Sequence, residues 1–359
     1  MKILLLVQNY PSSFNKYAMS YVHTRALGYL RVGCSVTVIS FSTHENYQYE
    51  GVSVVTYKKD LDFSSFDVVV SHAPNLKNHI RIIFEKISQI SSLIFVFHGH
   101  EILNYNKYYP RPYSWLKKDV VSYELRRPYE FIKLYFMKIF MRYFNARSKM
   151  MLIFVSDWMK SQFESQVDSI KNYRCEIVHN PINDGFISQF RHENIDSGRL
   201  KVITIRPFDQ PKYGIDLVLK LALQNSDIDF DIYGRGKYFS YYEKPHNVNI
   251  INEFIEQKDI PALLNKYDIA VMPTRLDSQG VSVCEFASYG IPLITSNIDV
   301  MNEMVGHYPN VLLLNNENFE CVLNKELIKK LKNSNFFDEK FLLAKIVEKE
   351  IEIFNKNDN

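Results

Sequence analysis

The chain has 359 residues and a formal net charge of +3, and 46% of its residues are hydrophobic and 23% are charged. These values are typical of a soluble globular protein, and the length allows two domains of ordinary size. Because the net charge is so small, the composition gives no support to a nucleic-acid-binding function.

The cysteines and the apolar runs indicate the compartment. The four cysteines, Cys34, Cys175, Cys284 and Cys321, form no CxxC pair and have no histidines at zinc-binding spacing. We therefore expect reduced thiols in a reducing compartment, with no metal centre. The apolar run at residues 3–7 is too short for a signal peptide, and no run approaches the ~20 residues that cross a bilayer. The sequence predicts a cytoplasmic protein.

The first half of the chain alternates buried strands with helical segments. Residues 2–8 form an apolar run that predicts a strand, residues 11–16 a loop, residues 17–31 a helix, and residues 35–41 the next strand. Further strands are predicted at residues 67–71, 93–97 and 152–155. Each of these ends in polar or small residues, where ligands bind in open α/β sheets. The order is that of a doubly wound α/β domain.

The second half restarts the same alternation after a short strand at residues 176–179 and a hinge at Asn180-Pro181. Strands are predicted at residues 201–205, 229–233 and 269–272, and helices at residues 216–224 and 260–266. Residues 339–354 have the apolar spacing of an amphipathic closing helix. We therefore predict two Rossmann-like domains facing across a cleft, with bounds at residues 1–182 and 183–338, followed by a closing helix and tail at 339–359.

Residues 111–150 do not fit the alternation of short apolar strands and helices seen in the rest of the chain. This segment has ten basic and three acidic residues, a difference of +7, and ten interleaved aromatic residues. Basic residues with exposed aromatic residues on a helix favour an anionic membrane surface, and we predict peripheral attachment there. The alternative is that the aromatic residues belong to the core and the charges to a solvated face.

Residues 277–296 have the pattern of a binding loop that leads into a helix. Asp277 and Glu285 lie eight positions apart, with Gly280 between them and Gly290 after them. A loop-to-helix junction offers free backbone N–H groups and the positive end of the helix dipole, which together bind anions. The alternative for the two carboxylates is a loop cap and a solvated helix residue.

Two cations lie at the end of the strand at residues 201–205. Arg206 ends this strand and Lys212 follows in the loop before the next helix, with Gly214 allowing close backbone approach. Two cations at such a loop suit a diphosphate.

Together these features resemble the retaining glycosyltransferases of family 4, also called glycosyl transferases group 1, which have the GT-B fold. That family has an Arg and a Lys-Gly after the first strand of its C-terminal domain, and a Glu-x7-Glu motif followed by a Gly-x-Pro turn. The likeness extends over most of the chain. It includes HGHE at residues 98–101, VSDWMK from residue 155, HNPI from residue 179, DIYGRG from residue 231 and YDIAVMPT from residue 267.

The resemblance implies roles for nine residues. Arg206 and Lys212 would bind the donor diphosphate and neutralise it as it leaves, so no metal is expected. Asp277 would contact the transferred sugar near the backbone N–H groups of Gln279, Gly280 and Val281. Glu285 would bond the ribose hydroxyls, Gly234 would face the nucleotide, and His98 would lie near the reacting face of the sugar. The implied catalytic residues are His98, Arg206, Lys212 and Asp277.

The sequence departs from the family at two places. The first position of the carboxylate motif is Asp277 instead of Glu, and the loop at residues 8–16 lacks the family's Gly-Gly. Asp is one methylene shorter, so the sugar contact shifts or the sugar differs. The missing Gly-Gly weakens the case for phosphate contact from the N-terminal domain.

Other readings of single motifs are weaker. His98, His100 and Glu101 could bind a metal, but histidines two apart at a strand end point to opposite faces. The Asp-x-Asp pairs at residues 227–231 lie at the start of a strand, away from its ligand-binding end.

The predicted function is sugar transfer from a nucleotide sugar, with net retention. The acceptor would be a saccharide or polyprenyl-linked saccharide at the inner face of the plasma membrane, as in bacterial capsule or O-antigen assembly. The alternatives are a nucleotide-sugar epimerase of the same fold and a non-catalytic scaffold.

Overall fold

A computed structural model describes residues 1–13, 15, 18–188, 198–253, 255–331, 336 and 338–358, with the backbone alone for Asp358. The predicted junction of loop and helix at residues 16 and 17 lies outside the described residues. The chain divides into two units. The first unit comprises Met1–Lys107, Arg127–Pro181 and Lys340–Asn359, and the second comprises Tyr108–Arg126 and Ile182–Glu339.

Each unit is built on one sheet of mainly parallel strands. The strands are β1 Lys2–Val7, β2 Ser35–Ser40, β3 Tyr47–Tyr49, β4 Val52–Val55, β5 Val68–His72, β6 Ser92–Phe97, β7 Lys149–Phe154, β8 Arg174–Ile177, β9 Lys201–Ile205, β10 Asp229–Tyr233, β11 Val248–Ile251, β12 Ile269–Val271, β13 Leu293–Ser296 and β14 Val311–Leu314.

The α-helices alternate with these strands. They are α1 Ser20–Arg31, α2 Arg81–Lys86, α3 Tyr105–Tyr108, α4 Lys117–Leu125, α5 Arg127–Asn145, α6 Asp157–Gln166, α7 Gly185–Ser188, α8 Ile215–Gln224, α9 Ile260–Leu264, α10 Val281–Tyr289, α11 Asp299–Val305, α12 Lys325–Lys330 and α13 Leu343–Asp358.

Within the described residues the first sheet has the order β3-β4-β2-β1-β5-β6-β7-β8, and only the pairing of β3 with β4 is antiparallel. The second sheet has the order β11-β10-β9-β12-β13-β14 and is parallel throughout. In each sheet the strand order reverses next to the first strand of the unit, as in doubly wound folds. The predicted α/β class with two doubly wound units is confirmed.

The apolar runs become strands buried on both faces. Ile3 to Val7 in β1 are all inaccessible to solvent, because β1 lies between β2 and β5 and helices cover the sheet. The strand predicted at residues 176–179 is β8, which begins and ends two residues earlier. The helix predicted at residues 260–266 ends at Leu264.

Residues 108–126 belong to the second unit, whereas the sequence prediction placed them in the N-terminal domain. The physical reason is aromatic packing. The ring of Trp115 stacks on Tyr113 at a centroid distance of 4.5 Å and on Tyr241 at 4.7 Å. Tyr238 packs edge-on against Tyr113 at 5.2 Å. The basic segment at residues 111–150 is therefore divided between the two units.

The closing helix α13 is part of the first unit. A buried ion pair joins it to α1, since Arg25 Nε donates to Glu350 Oε1 over 2.9 Å and both side chains are almost fully buried. Tyr29 Oη donates to the other oxygen of Glu350 over 2.6 Å. The helices also pack closely, because a Cβ at Gly28 would lie 2.5 Å from Val347 Cγ2.

Candidate functional site

Arg206 follows directly after β9, at the carboxyl end of the second sheet. Its guanidinium donates from Nη1 to Ser282 Oγ over 3.1 Å and from Nη2 to the carbonyl oxygen of Met272 over 3.3 Å. The residue is 5% exposed, and its buried Nε has no acceptor among the described residues. Burial lowers the pKa of Arg206, and the charge of Asp277 acts in the opposite direction. Arg206 is thus a fixed, desolvated cation with an unused donor.

Lys212 lies in the turn between β9 and α8. Its carbonyl oxygen accepts hydrogen bonds from the backbone N–H of Arg275 over 2.6 Å and from Thr274 Oγ1 over 3.3 Å. Its Nζ donates to no acceptor in the described part of the chain, and it lies 4.5 Å from the ring centroid of Tyr213. The guanidinium of Arg206 is 4.9 Å from the same centroid. The two cations therefore lie against one ring, and Lys212 has all three donors available.

The N-terminus of α10 lies beside these cations. Its N-cap, Gly280, has a φ of +72°, which favours glycine, and a Cβ there would lie 2.5 Å from Met301 Cε, so the end of the Met301 side chain would have to shift. Within the described ranges the N–H groups of Gly280, Val281 and Ser282 have no acceptor. Ser282 also accepts the bond from Arg206, which brings the guanidinium to the first turn of the helix. Free N–H groups, a helix dipole and a cation form an anion site.

Asp277 shapes the loop that precedes α10. Its Oδ1 accepts hydrogen bonds from the backbone N–H of Ser278 over 2.8 Å and of Gln279 over 3.4 Å. Gln279 is buried. Among the residues described, no donor reaches Oδ2 of Asp277. The loop-cap alternative thus describes one oxygen of Asp277, and the other is available to a ligand.

Glu285 is 4% exposed, so the alternative of a solvated helix residue is wrong for it. Its Oε1 accepts hydrogen bonds from Gln257 Nε2 over 2.5 Å and from the backbone N–H of Asn183 over 3.2 Å. No described donor reaches Oε2. Burial raises the pKa of Glu285 to about 7, and the two hydrogen bonds act in the opposite direction. A buried carboxyl with one open oxygen suits hydroxyl donors of a ligand.

Gly234 follows β10 and lies against the backbone of Arg206. A Cβ at Gly234 would lie 2.0 Å from the carbonyl oxygen of Arg206, so only glycine allows the two strand ends to approach. The backbone N–H of Arg206 in turn donates to the carbonyl oxygen of Tyr233 over 3.0 Å. Beyond Gly236 lies a cavity of about 870 Å³, whose lining includes Tyr241, Tyr242 and Asn252.

His98 follows β6 in the first unit. Its Nε2 lies 3.1 Å from His72 Nδ1, and burial lowers the pKa of both imidazoles well below the ordinary value, so both are neutral. Glu101 Oε1 accepts hydrogen bonds from the backbone N–H groups of His98 and Gly99. The side chain of His100 is 65% exposed, and its Nδ1 lies 3.5 Å from Glu101 Oε2.

The second unit thus contains eight of the nine sequence-predicted residues, and the ninth, His98, lies in the first unit. Arg206, Lys212, Asp277 and the glycines lie in loops that follow strands of the second sheet, and Glu285 lies in α10, which follows one of these loops. Within the described residues, no group of three or more His, Cys, Asp or Glu side chains is arranged to hold a metal ion.

The Asp-x-Asp pairs have structural contacts instead. Asp229 pairs with Arg199 over 3.2 Å, and Asp231 accepts a hydrogen bond from Tyr267 Oη over 2.7 Å.

Sequence reasoning missed three residues of this site. Ser282 bonds Arg206, and Asn183 and Gln257 hold Glu285. Ser282 could have been found, because it is the second residue of a helix that was predicted to bind an anion. Asn183 and Gln257 lie 102 and 28 residues away from Glu285 and have no motif of their own.

The architecture is that of the GT-B class. The crystal structure of the Anabaena protein HepE in complex with UDP and glucose is similar to the chain, with a TM-score of 0.66. The alignment covers 99% of this chain and 100% of that one at 11% identity, which establishes the fold alone. The predicted GT-B fold is confirmed.

A family match covers most of the second unit. Residues 186–340 match the family described as Glycosyl transferases group 1. Through this segment the chain is similar to that family, and the resemblance stated from its motifs is confirmed.

Two curated relatives are named for a cps region and for O-antigen biosynthesis. One is an uncharacterized 41.2 kDa protein in the cps region of Klebsiella pneumoniae, 24% identical over 45% of this chain and 48% of the relative. The other is the O-antigen biosynthesis glycosyltransferase WclY of Escherichia coli, 31% identical over 25% of this chain and 27% of the relative. The matches thus span about half and about a quarter of these relatives.

Proposed function

We propose that the protein is a hexosyltransferase that moves a sugar from a nucleotide-sugar donor to a saccharide or polyprenyl-linked saccharide, with net retention and without a metal. The observation that carries this proposal is the pairing of Arg206 and Lys212 with the N-terminus of α10. Departure of a nucleoside diphosphate builds negative charge on its phosphates, and fixed cations stabilise that charge most strongly in the transition state.

The proposed role of each group follows from its atoms that have no hydrogen-bond partner among the described residues. Lys212 Nζ and Arg206 Nε have donors to offer a diphosphate, as do the first N–H groups of α10. Oε2 of Glu285 would accept from the ribose hydroxyls, and Oδ2 of Asp277 from a hydroxyl of the transferred sugar. His98 would contact the reacting face of that sugar. The cavity beyond Gly236 offers aromatic rings and an amide for the base.

Front-face attack would account for retention. The leaving phosphate, held by both cations, would take the proton of the acceptor hydroxyl on the same face of the sugar. The relatives from cps and O-antigen loci support an acceptor of the surface-polysaccharide kind.

Donor turnover by the purified protein tests the site. A thermal-shift screen of nucleotide sugars would identify the donor, and release of its nucleoside diphosphate would then be measured in Lys212→Ala and Glu285→Ala. We expect Lys212→Ala to lower kcat by about 10²- to 10³-fold, because it removes a preorganised cation. The matched control is Lys266→Ala, which removes an exposed lysine of the same unit. Release of nucleoside diphosphate at the wild-type rate in both Lys212→Ala and Glu285→Ala would contradict the assignment of these residues to the donor site.

The products separate the alternatives. An epimerase would return an intact nucleotide sugar with altered stereochemistry, and a scaffold would release nothing. The anomeric configuration of the transferred sugar, read by NMR, tests retention.

We further propose that α5 rests on an anionic membrane surface at the inner face of the plasma membrane. Five apolar side chains along one side of α5 are exposed by 41% to 71%, namely Phe131, Ile132, Tyr135, Phe136 and Ile139. We call this set the α5 stripe. A contiguous exposed apolar patch of this kind marks an interaction surface. No described helix is long and apolar enough to span a bilayer.

The basic residues of α5 support membrane attachment less than their number suggests, because some of them are buried or paired within the protein. Lys133 is buried and donates to Glu130 and to two carbonyl oxygens. Arg142 is paired with Asp168. The attraction therefore rests mainly on apolar burial by the α5 stripe.

Co-sedimentation with anionic liposomes at low salt tests the membrane proposal. The double variant Phe131→Ser/Tyr135→Ser should weaken binding by about tenfold per residue, since each ring would otherwise bury apolar area worth ~1.5 kcal/mol. Leu223→Ser, which removes a 67% exposed side chain from the second unit, serves as the control. Binding that is absent in the wild type, or equal in all variants, would contradict the proposal.

A further inference from the structure

A groove of about 400 Å³ lies beside the α5 stripe in the first unit. Its apolar wall is formed by Phe131, Leu134, Tyr135 and Val167, and its rim contains Lys107 and Lys138. We call it the α5 groove. We infer that the α5 groove binds the phosphate-bearing headgroup of a single anionic phospholipid, in addition to the general attraction of the helix for a membrane.

The apolar wall is continuous with the surface that would enter the membrane. Phe131 and Tyr135 are 71% and 63% exposed, and each belongs both to the groove and to the α5 stripe. Val167, which also lines the groove, is buried. An acyl chain can therefore leave the groove along the stripe without exposing its apolar surface to water.

The charges around the groove favour an anion. Lys138 Nζ lies 3.6 Å from Asp168 Oδ1, with 42% of its side chain exposed. Asp168 is already bound by Arg142, whose Nε and Nη2 donate to its two oxygens over 2.6 and 2.8 Å, and by Tyr173 Oη over 2.8 Å. The charge of Asp168 is thus matched without Lys138, which leaves the lysine to pair with an external phosphate. Lys107 adds a second positive charge at the rim.

The size of the groove limits the ligand. A volume of about 400 Å³ is at the lower end of the ~300–1,000 Å³ typical of small-molecule sites. One phosphate with its glycerol and the first carbons of a chain fits this range, and a bilayer patch does not. Two lysines and an apolar wall match an anionic phospholipid better than a soluble phosphate, which would leave the wall unused.

Monomeric lipid distinguishes a site from surface attraction. Calorimetric titration of the full chain with dihexanoyl phosphatidylglycerol, kept below its critical micelle concentration, should show saturable binding. Lys138→Gln and Lys107→Gln should each weaken it about fivefold, and the pair together about 25-fold. Lys58→Gln removes the same charge from an exposed position outside the groove and should change nothing. Leu134→Trp fills the groove without altering charge and should abolish binding.

The outcomes are distinct from those of the proposed membrane association, on which this inference rests for its biological setting. Saturable binding of the monomer that Leu134→Trp abolishes supports the groove, even if liposome binding fails. No saturable binding by the wild type, or equal loss in Lys138→Gln and Lys58→Gln, overturns it. Much tighter binding of farnesyl diphosphate would overturn the phospholipid assignment in favour of a lipid-linked acceptor. Equal binding of glycerol phosphate would show that the apolar wall plays no part, and would also overturn it.

Discussion

Burial of Glu285 predicts a specific pH dependence of stability. The pKa of this carboxyl rises from its ordinary value of 4.5 to about 7 in the folded state, chiefly because the side chain is buried. The folded protein therefore binds the proton of Glu285 more tightly than the unfolded chain does, by about 3 kcal/mol. The perturbation that removes this effect is Glu285→Gln, which has the same shape and stays neutral.

The sign follows from which state holds the proton. Between about pH 4.5 and about pH 7 the folded state retains a proton that the unfolded state has released, so the free energy of unfolding falls as pH rises. Below that window both states hold the proton, and above it neither does. The wild type should therefore lose up to about 3 kcal/mol relative to Glu285→Gln across the window, and the difference should be flat outside it.

Urea unfolding measures this difference. The chain has two tryptophans, Trp115 in the second unit and Trp158 in the first, so a Trp158→Phe background makes fluorescence report on the unit that contains Glu285. Comparing wild type with Glu285→Gln at each pH cancels the titration of all other groups. A difference that stays constant between about pH 4.5 and pH 8 would refute the reasoning from burial.

Two further predictions concern packing. Glu350→Ala leaves the guanidinium of Arg25 buried without its carboxylate, so it should destabilise the first unit by about 3–5 kcal/mol. Urea unfolding followed by Trp158 fluorescence measures this loss. The double variant Arg25→Met/Glu350→Leu replaces the ion pair by apolar side chains and should recover most of the loss. A double variant as unstable as the single one would show that the two partners do not act as a pair. Gly280→Ala places a Cβ 2.5 Å from a side-chain atom of Met301, at a backbone φ of +72°. This variant should therefore lower both the thermal stability and the affinity for a nucleoside diphosphate. Unchanged affinity in calorimetry would exclude the N-terminus of α10 from the site.

The residues of the candidate site could be predicted from the sequence where they belong to a recognisable motif. Arg206, Lys212, Asp277 and Glu285 have residue types and spacings that indicate charge chemistry at strand ends. What they contact was not predictable. The donors to Glu285 come from distant positions, and only the fold shows that this carboxyl is buried and holds its proton to about pH 7.

The basic segment shows the opposite case, in which composition misled. Residues 111–150 have one charge pattern, but their two parts belong to different units. Trp115 packs against aromatic rings of the second unit, and Lys133 is buried and donates to carbonyl oxygens of the first unit. Counting charges cannot reveal either outcome, because both depend on partners that are far away along the chain.

The sequence by itself determined the alternation of strands and helices, the doubly wound class and the resemblance to a glycosyltransferase family, because these rest on local apolar periodicity and on short motifs. The tertiary structure alone decided which unit each segment joins, which cations are exposed and which carboxyl is buried. The physical reason is that desolvation and pairing depend on every neighbour in space. Glu350 in the last helix, for example, is joined to Arg25 across 325 positions of the chain.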